Sequence, residues 1–326
     1  MFRIALIGAG RIGRIHARNA ALHPALELAA VVDPVEASAQ ALAGEWGAAV
    51  RTLEEVIADP GIAGVVVASS TDTHLDYSMQ AIAAGKAVFC EKPIDQDLQR
   101  ARSAAPTLEG ARLLLAFNRR FDPNFRALKA KLDEGGIGTI ESLQITSNDP
   151  APPPPSYVAV SGGLFKDMAI HDFDMARWLL GEEPVEVYAT GSCLVDPEIG
   201  RLGDVDTART LLRTASGRLC VIANSRRSGY GYDQRIEAYA SAGMVCADNV
   251  RESTVQVFTE GGSSADRLQN FFLDRYAQAY RAEMEHFADM LATGAAPAVG
   301  YADGVAALAL AEAAARSMAS GEVVRL

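Results

Sequence analysis

The sequence predicts an α/β protein. A doubly wound parallel sheet is expected over residues 1–120, followed over 121–326 by an α+β domain with a large open, mostly antiparallel sheet. Three observations predict it. Short apolar runs alternate with helical patterns up to about Asn118, and a glycine-rich turn, GAGRIG, directly follows the first run. In the second half, strand-like runs succeed one another through Gly-containing turns such as TASGR and ASAGM.

At 326 residues the chain has room for two domains with separate cores. Its 49% hydrophobic and 22% charged residues are ordinary for a globular protein. A formal charge of −11 argues against a nucleic-acid partner, which would need clustered Lys and Arg. Cys90, Cys193, Cys220 and Cys246 are scattered without a CxxC pair, which argues for reduced thiols in a cytoplasmic protein and against a structural zinc or disulfide framework. The run in MFRIALIGAG is too short for a signal peptide, and no stretch reaches the ~18 apolar residues of a membrane span.

In the first domain the strand candidates are 2–7, 28–32, 64–68, 87–90 and 113–117, with helices at 12–21, 53–58 and 75–84. Strands without polar alternation, spaced by helices, belong to a parallel sheet covered on both faces. In GAGRIG, Gly8 permits the tight turn, Gly10 lets a pyrophosphate approach the backbone, and Gly13 lets helix and strand pack closely. The helix that follows offers free N–H groups and a positive dipole end to phosphate. The second strand ends in Asp33, about 20 residues on, where the dinucleotide fingerprint requires an acid. This is a Rossmann pattern. A carboxylate at Asp33 accepts from ribose hydroxyls and repels a 2′-phosphate, so NAD is expected rather than NADP.

Two further segments sit at strand ends, where open α/β sheets bind ligands. ASSTDTH, ending at His74, has Thr71 or Asp72 placed to cap the next helix. In FCEKPI, Pro93 restricts Lys92 to extended conformations and gives its ammonium a defined direction. Together GAGRIG, Asp33, EKP at 91–93 and GGxxxDxxxHDxD at 162–174 resemble the Gfo/Idh/MocA oxidoreductases over the whole chain. Within that family FNRRFDPNF (117–125), LFKDMAIHDFDMARWL (164–179) and SRRSGYGYDQRIE (225–237) are most similar to inositol 2-dehydrogenases. The resemblance implies an NAD site formed by Gly8, Gly10, Arg11, Ile12, Gly13, Asp33, Ser69, Thr71, His74 and Glu91. It also implies catalysis by Lys92, Asp167 and His171, and hydroxyl binding by Arg119, Asn148 and Tyr230. The last three read equally well, as residues, as a surface Arg, a turn Asn and a strand Tyr.

The second domain is expected to open with a helix from Pro123 to about 135 and a strand at TIESLQITSND. APPPPSYV reads as an extended loop, either framing a site or simply connecting. Strand-like runs follow a helix at 165–180 and lie at 185–195, 205–215, 218–226, 234–240, 243–248 and 253–259. Helices near 274–293 and 301–319 and a short strand at 322–326 close the chain. A broad sheet with a helix on one face leaves the other open. A homo-oligomer is therefore expected, and by resemblance a tetramer.

The helix at 165–180 places Asp167, His171, Asp174 and Trp178 on one stripe, hemmed by Ile170 on one side and Met168, Met175 and Leu179 on the other. Asp167 also suits a helix N-terminus on dipole grounds, and Asp with His four residues on also fits metal ligation, but no third ligand is evident. With a dinucleotide fold and Lys92 in the same chain, catalysis is the better reading. Oxidising a secondary alcohol requires removal of the hydroxyl proton as hydride leaves carbon. An imidazole, with an ordinary pKa of ~6.5, suits His171 to the role of base. Lys92 would stabilise developing alkoxide charge, and Asp167 would hold substrate or imidazole. The resemblance then implies NAD-dependent oxidation of a cyclic polyol, foremost myo-inositol to 2-keto-myo-inositol. The alternatives are scyllo-inositol, another cyclitol or an aldose, or a catalytically silent NAD-bound sensor.

Overall fold

The computed structural model describes all residues 1–326 and separates into two compact units. Met1–Phe121 with Ala279–Leu308 forms the first, and Asp122–Gln278 with Ala309–Leu326 the second. The chain thus leaves the first unit close to residue 120 but returns to it, which a single linear boundary does not describe. The return is built on close packing. Gly64 leaves room where a Cβ would lie 2.8 Å from the Phe287 ring, and the amide of Leu115 donates to the carbonyl of Val299 at 3.0 Å.

The first unit is built on six parallel strands: β1 Phe2–Ile7, β2 Leu26–Val32, β3 Ala49–Val50, β4 Gly64–Val67, β5 Ala87–Cys90 and β6 Leu113–Leu115. Their order is β3-β2-β1-β4-β5-β6, so the winding reverses between β1 and β4. Every residue of β4, β5 and β6 is buried, as expected for strands covered on both faces. The expected strands and helices fall within a few residues of their places. The edge strand β3, only two residues long, is too short to carry a strand pattern of its own in the sequence. Neither Thr71 nor Asp72 caps the next helix: a 3₁₀ turn, Thr71–Thr73, leads into it, and no side chain bonds to its free amides.

The second unit carries β7 Ile140–Asn148, β8 Pro184–Ser192, β9 Thr207–Thr214, β10 Leu219–Ser225, β11 Asp233–Ala240, β12 Gly243–Ala247, β13 Gln256–Thr259, β14 Gly262–Ala265 and β15 Val324–Arg325. Seven form one sheet in the order β12-β11-β7-β10-β9-β8-β15. It is antiparallel except where β7 pairs in parallel with β10. Side chains alternate: Cys220, Ile222 and Asn224 of β10 are buried, while Val221 remains 39% exposed. The helix Ile170–Leu180 packs against β7 on the covered face.

Four expectations for the second half of the chain need correcting. The run at 253–259 does not extend the large sheet; β13 pairs only with β14, in an exposed hairpin. The Pro-rich segment is not extended throughout, because Pro155 starts a helix, Pro155–Ser161, in a first turn that needs no proline N–H. The helix at 165–180 begins as a π-helix, Phe165–Ala169, before becoming regular. The expected helix at 274–293 is likewise divided, into Phe272–Arg275 and Ala277–Thr293.

At the end of β8 the chain is tied down by one side chain. Asp206 is fully buried and accepts from the amides of Leu194 (2.8 Å), Val195 (2.7 Å) and Asp196 (2.9 Å) and from the Thr207 hydroxyl (3.0 Å). Burial alone would raise its pKa, but the converging amides outweigh burial and lower it to about 2. A folded-state value below the unfolded one means the stabilisation is present above pH ~4 and is lost as pH falls towards ~2. Asp206→Asn should therefore lower stability by about 1–3 kcal/mol at neutral pH in urea unfolding. The gap from wild type should narrow steadily below pH ~4.

Candidate active site

The glycine turn of the first unit is shaped for close approach. Gly8 has φ +105°, and a Cβ there would lie 2.3 Å from the carbonyl oxygen of Ala68. A Cβ on Gly13 would lie 2.0 Å from the carbonyl oxygen of Gly8, so only glycine lets the helix Arg11–Ala21 sit on β1. Gly10 differs: no atom lies within 4 Å of its Cβ position, and no side chain caps the helix that it begins. The first amides of that helix, at Arg11, Ile12 and Gly13, are left to a ligand with negative charge.

Asp33 stands beside this turn. Its Oδ2 accepts from the amide of Ala9 at 2.6 Å and its Oδ1 from that of Val35 at 2.8 Å. Those bonds fix the carboxylate at the second strand end and leave lone pairs for ribose hydroxyls. Further along the same sheet, the buried His74 bridges two loops, with Nδ1 at 2.8 Å from the carbonyl of Pro93 and Nε2 at 3.2 Å from that of Ser69. The Ser69 hydroxyl pairs with that of Thr73 at 2.6 Å, whereas Thr71 heads the 3₁₀ turn. His74 therefore ties the ASSTDTH loop to the EKP segment. Glu91 lies 2.8 Å from Nε2 of the buried His16, and Lys92 follows it off the end of β5. Arg119 belongs to this unit too, buried in the turn Asn118–Phe121.

Asp167, His171, Asn148 and Tyr230 belong to the second unit. The residues flanking the acidic stripe, Met168, Ile170, Met175 and Leu179, are all buried. Asp167 accepts from the Tyr157 hydroxyl at 2.8 Å and from both terminal nitrogens of Arg226 at 3.4 Å. Arg226 is 1% exposed and also lies 3.9 Å from Asp204, whose two oxygens accept from the Leu164 amide at 3.0 and 3.1 Å. Gly163, at φ +83°, leaves the space that Asp204 enters: a Cβ there would lie 2.9 Å from its Oδ1. Asp174, the last acid of the stripe, is buried 3.7 Å from Arg177. Asp172 is also buried and accepts from Asn224 at 2.8 Å, anchoring the helix to β10.

Asn148 and Tyr230 converge on one buried carboxylate. Asp233 accepts from the Tyr230 hydroxyl (2.6 Å), Asn249 (2.7 Å), Arg235 (2.7 and 3.1 Å) and, at the limit of reach, Asn148 (3.5 Å). Burial would raise its pKa, but hydrogen bonds from Arg235, Tyr230 and Asn249 hold it below the usual carboxylate value. Tyr230 is 62% exposed with its hydroxyl oriented by that bond. The sequence reading missed Arg226, Asp204, Tyr157 and Asp233. A signal for Arg226 existed, because alternation along β10 puts it in phase with the inward Cys220, Ile222 and Asn224.

Two family models match the chain: "Oxidoreductase family, NAD-binding Rossmann fold" over residues 2–118 and "GFO/IDH/MocA C-terminal domain" over 125–246. The chain belongs to the Gfo/Idh/MocA family. It is an NAD-dependent oxidoreductase. It is 48% identical over 319 residues to an inositol 2-dehydrogenase of Rhizobium meliloti, covering 97% of each chain. A myo-inositol dehydrogenase structure from Corynebacterium glutamicum superposes with a TM-score of 0.96 at 44% identity, covering 100% of this chain and 99% of the other. A scyllo-inositol dehydrogenase of Lactobacillus casei, solved with NAD(H) and scyllo-inositol, gives 0.91 at 28% identity, covering 100% and 98%. No helix is long and apolar enough to cross a membrane.

Within this family frame the open approach at Gly10 and the fixed Asp33 carboxylate fit NAD. Asp33→Ala should raise the KM for NAD about tenfold, as expected for loss of a charged hydrogen bond to ribose, while kcat changes little. Steady-state kinetics with NAD and NADP side by side checks this, and an unchanged KM would remove Asp33 from the site.

Proposed function

We propose that this protein oxidises a secondary alcohol of a cyclic polyol, foremost myo-inositol to 2-keto-myo-inositol. The observation that carries the reading is the carboxylate of Asp167, bonded to Tyr157 and Arg226 four residues before His171. The likeness to inositol dehydrogenases over 97% of the chain supports the substrate class.

Bound NAD⁺ supplies the hydride acceptor, nicotinamide C4. The pyrophosphate is held at the amides after Gly8 and Gly10, and the ribose by Asp33. Ser69, Thr71 and His74 shape the neighbouring loop, and Glu91 places Lys92. His171 takes the proton of the reacting hydroxyl as C–H hydride departs, so an alcohol and NAD⁺ become a ketone, NADH and a proton. Lys92 donates to the same oxygen and stabilises its developing charge. Asp167 accepts from an adjacent hydroxyl or from the imidazole and favours the imidazolium once it forms. Arg119, Asn148 and Tyr230 bind the remaining hydroxyls. A ring carrying a hydroxyl on every carbon suits so many fixed donors and acceptors, and an analogue lacking one hydroxyl leaves a polar group unpaired.

The open sheet face exposes Tyr188, Leu211, Val221 and Tyr239 by 39–41%. We take it as the surface through which copies of this chain assemble, as a tetramer in the cytoplasm.

The reading is tested by following NAD reduction with myo-inositol, scyllo-inositol, other cyclitols and aldoses. Turnover fastest on myo-inositol is expected. A preference for scyllo-inositol would move the assignment to that isomer, and no turnover on any polyol would favour a silent sensor. His171→Ala and Lys92→Ala should each lower kcat by about 10²–10⁴. NADH affinity should be nearly unchanged in His171→Ala, and normal turnover in that variant would refute its role as base.

A further inference from the structure

The second unit holds a carboxylate that no step of the chemistry above uses. Asp233, the first residue of β11, is 0% exposed and so touches no substrate itself. Side chains from several elements nonetheless converge on it. Its Oδ1 accepts from Arg235 Nε and from Asn249, both at 2.7 Å. Its Oδ2 accepts from Arg235 Nη2 at 3.1 Å, from the Tyr230 hydroxyl at 2.6 Å and, at the limit of reach, from Asn148 Nδ2 at 3.5 Å. Asn148 ends β7 directly opposite Asp233 in the register of β7 with β11, and Tyr230 lies in the turn that leads into β11.

These bonds decide polarity as well as position. Burial works against a charge on Asp233, but the bonds from Arg235, Tyr230 and Asn249 outweigh it and keep the carboxyl ionised at neutral pH. An ionised carboxylate offers only lone pairs, so every neighbour must face it with a proton. The Tyr230 O–H is therefore committed to Oδ2, and its oxygen keeps lone pairs but no proton for a ligand. The Asn148 amide turns its NH₂ to the same oxygen, which turns Asn148 Oδ1 away. Tyr230 is 62% exposed, so its oxygen is within reach of a ligand.

We propose that Asp233 is a positioning residue that sets Tyr230 Oη and Asn148 Oδ1 as a pair of acceptors, and that this pair selects the polyol through a non-reacting hydroxyl that must donate. A hydroxyl can donate to the pair, whereas a ketone, an ether or a C–F bond cannot. Oxidation removes the hydroxyl proton, so a ketone formed at this place would set acceptor against acceptor. The carbon held here is thus not the one that loses hydride. The pair rejects deoxy analogues and also rings already oxidised at that carbon. This rests on the reading that Tyr230 and Asn148 bind substrate hydroxyls, and it fixes the direction of those hydrogen bonds.

The test follows NAD reduction by the full-length protein on the polyol that it turns over fastest, beside the monodeoxyfluoro analogues of that polyol. Fluorine is close to a hydroxyl in size but cannot donate. In wild type, fluorine at one non-reacting carbon should raise KM about tenfold with kcat little changed, as expected when acceptors are left unpaired. In Tyr230→Phe the KM for the parent polyol should rise about as far, closing the ratio for that analogue to within about twofold. The substitution removes one hydroxyl from an exposed residue, leaves the fold intact and decides the acceptor claim by itself. Asp233→Asn keeps a carbonyl for Arg235 and Asn249 but sets an NH₂ against Tyr230, which turns the hydroxyl round into a donor. The same ratio should close there too. A merely structural loss would raise both KM values together and leave the ratio open. Tolerance of fluorine at every non-reacting carbon in wild type, or a tenfold ratio kept in either variant, would overturn the proposal and leave polyol oxidation standing. No turnover of any polyol would overturn both.

Discussion

A fully buried guanidinium between two carboxylates is the interaction on which the second unit's part of the site depends. Arg226 reaches Asp167 at 3.4 Å and Asp204 at 3.9 Å. Asp204 in turn holds the Leu164 amide at the head of the segment that bears Asp167 and His171. One cation therefore fixes both the start of that segment and its first acid. Without it, two carboxylates would face each other with little water to screen them, a strongly unfavourable arrangement. The π-helix at Phe165–Ala169 lies at this point. Such local widening of a helix is common where a side chain must be aimed at a ligand.

The first unit solves a different electrostatic problem. Its glycines remove side chains so that backbone can meet backbone at Gly8 and Gly13, and so that a ligand can meet backbone at Gly10. Positive polarity comes from uncapped amides, and negative charge beside the turn comes from Asp33, itself held by two amides. Under the proposed reading, phosphate and ribose would be met by opposite polarities a short way apart. Farther along the sheet, His74 ties a strand-end loop to the EKP segment through two carbonyls, and His16 ties the helix Arg11–Ala21 to it through Glu91.

The first unit was largely legible in the sequence because its signals are local. A strand, GAGRIG, a helix and Asp33 follow one another in order, and Gly8 and Gly13 have the steric reasons the motif implies. The second unit was legible as strand-like runs but not as a topology. Nothing local announces that β7 and β10 pair in parallel, or that the run ending at Thr259 folds back on β14 alone. Asp167 and His171 were readable as a stripe. Their supports, Arg226, Asp204 and Tyr157, come from separate places in the chain and are joined only by folding. The return of Ala279–Leu308 to the first unit was hidden for the same reason, since the residues it packs on, Gly64 and Leu115 among them, lie far away in the sequence.

The central claim is that Arg226 acts on the reaction through Asp167. A double-mutant cycle on kcat/KM with myo-inositol, combining Arg226→Met and Asp167→Asn, tests it most directly. The account predicts strong coupling, with Arg226→Met costing little more once Asp167 has lost its charge. Additive losses, with the Arg226 effect undiminished in the Asp167→Asn background, would contradict it.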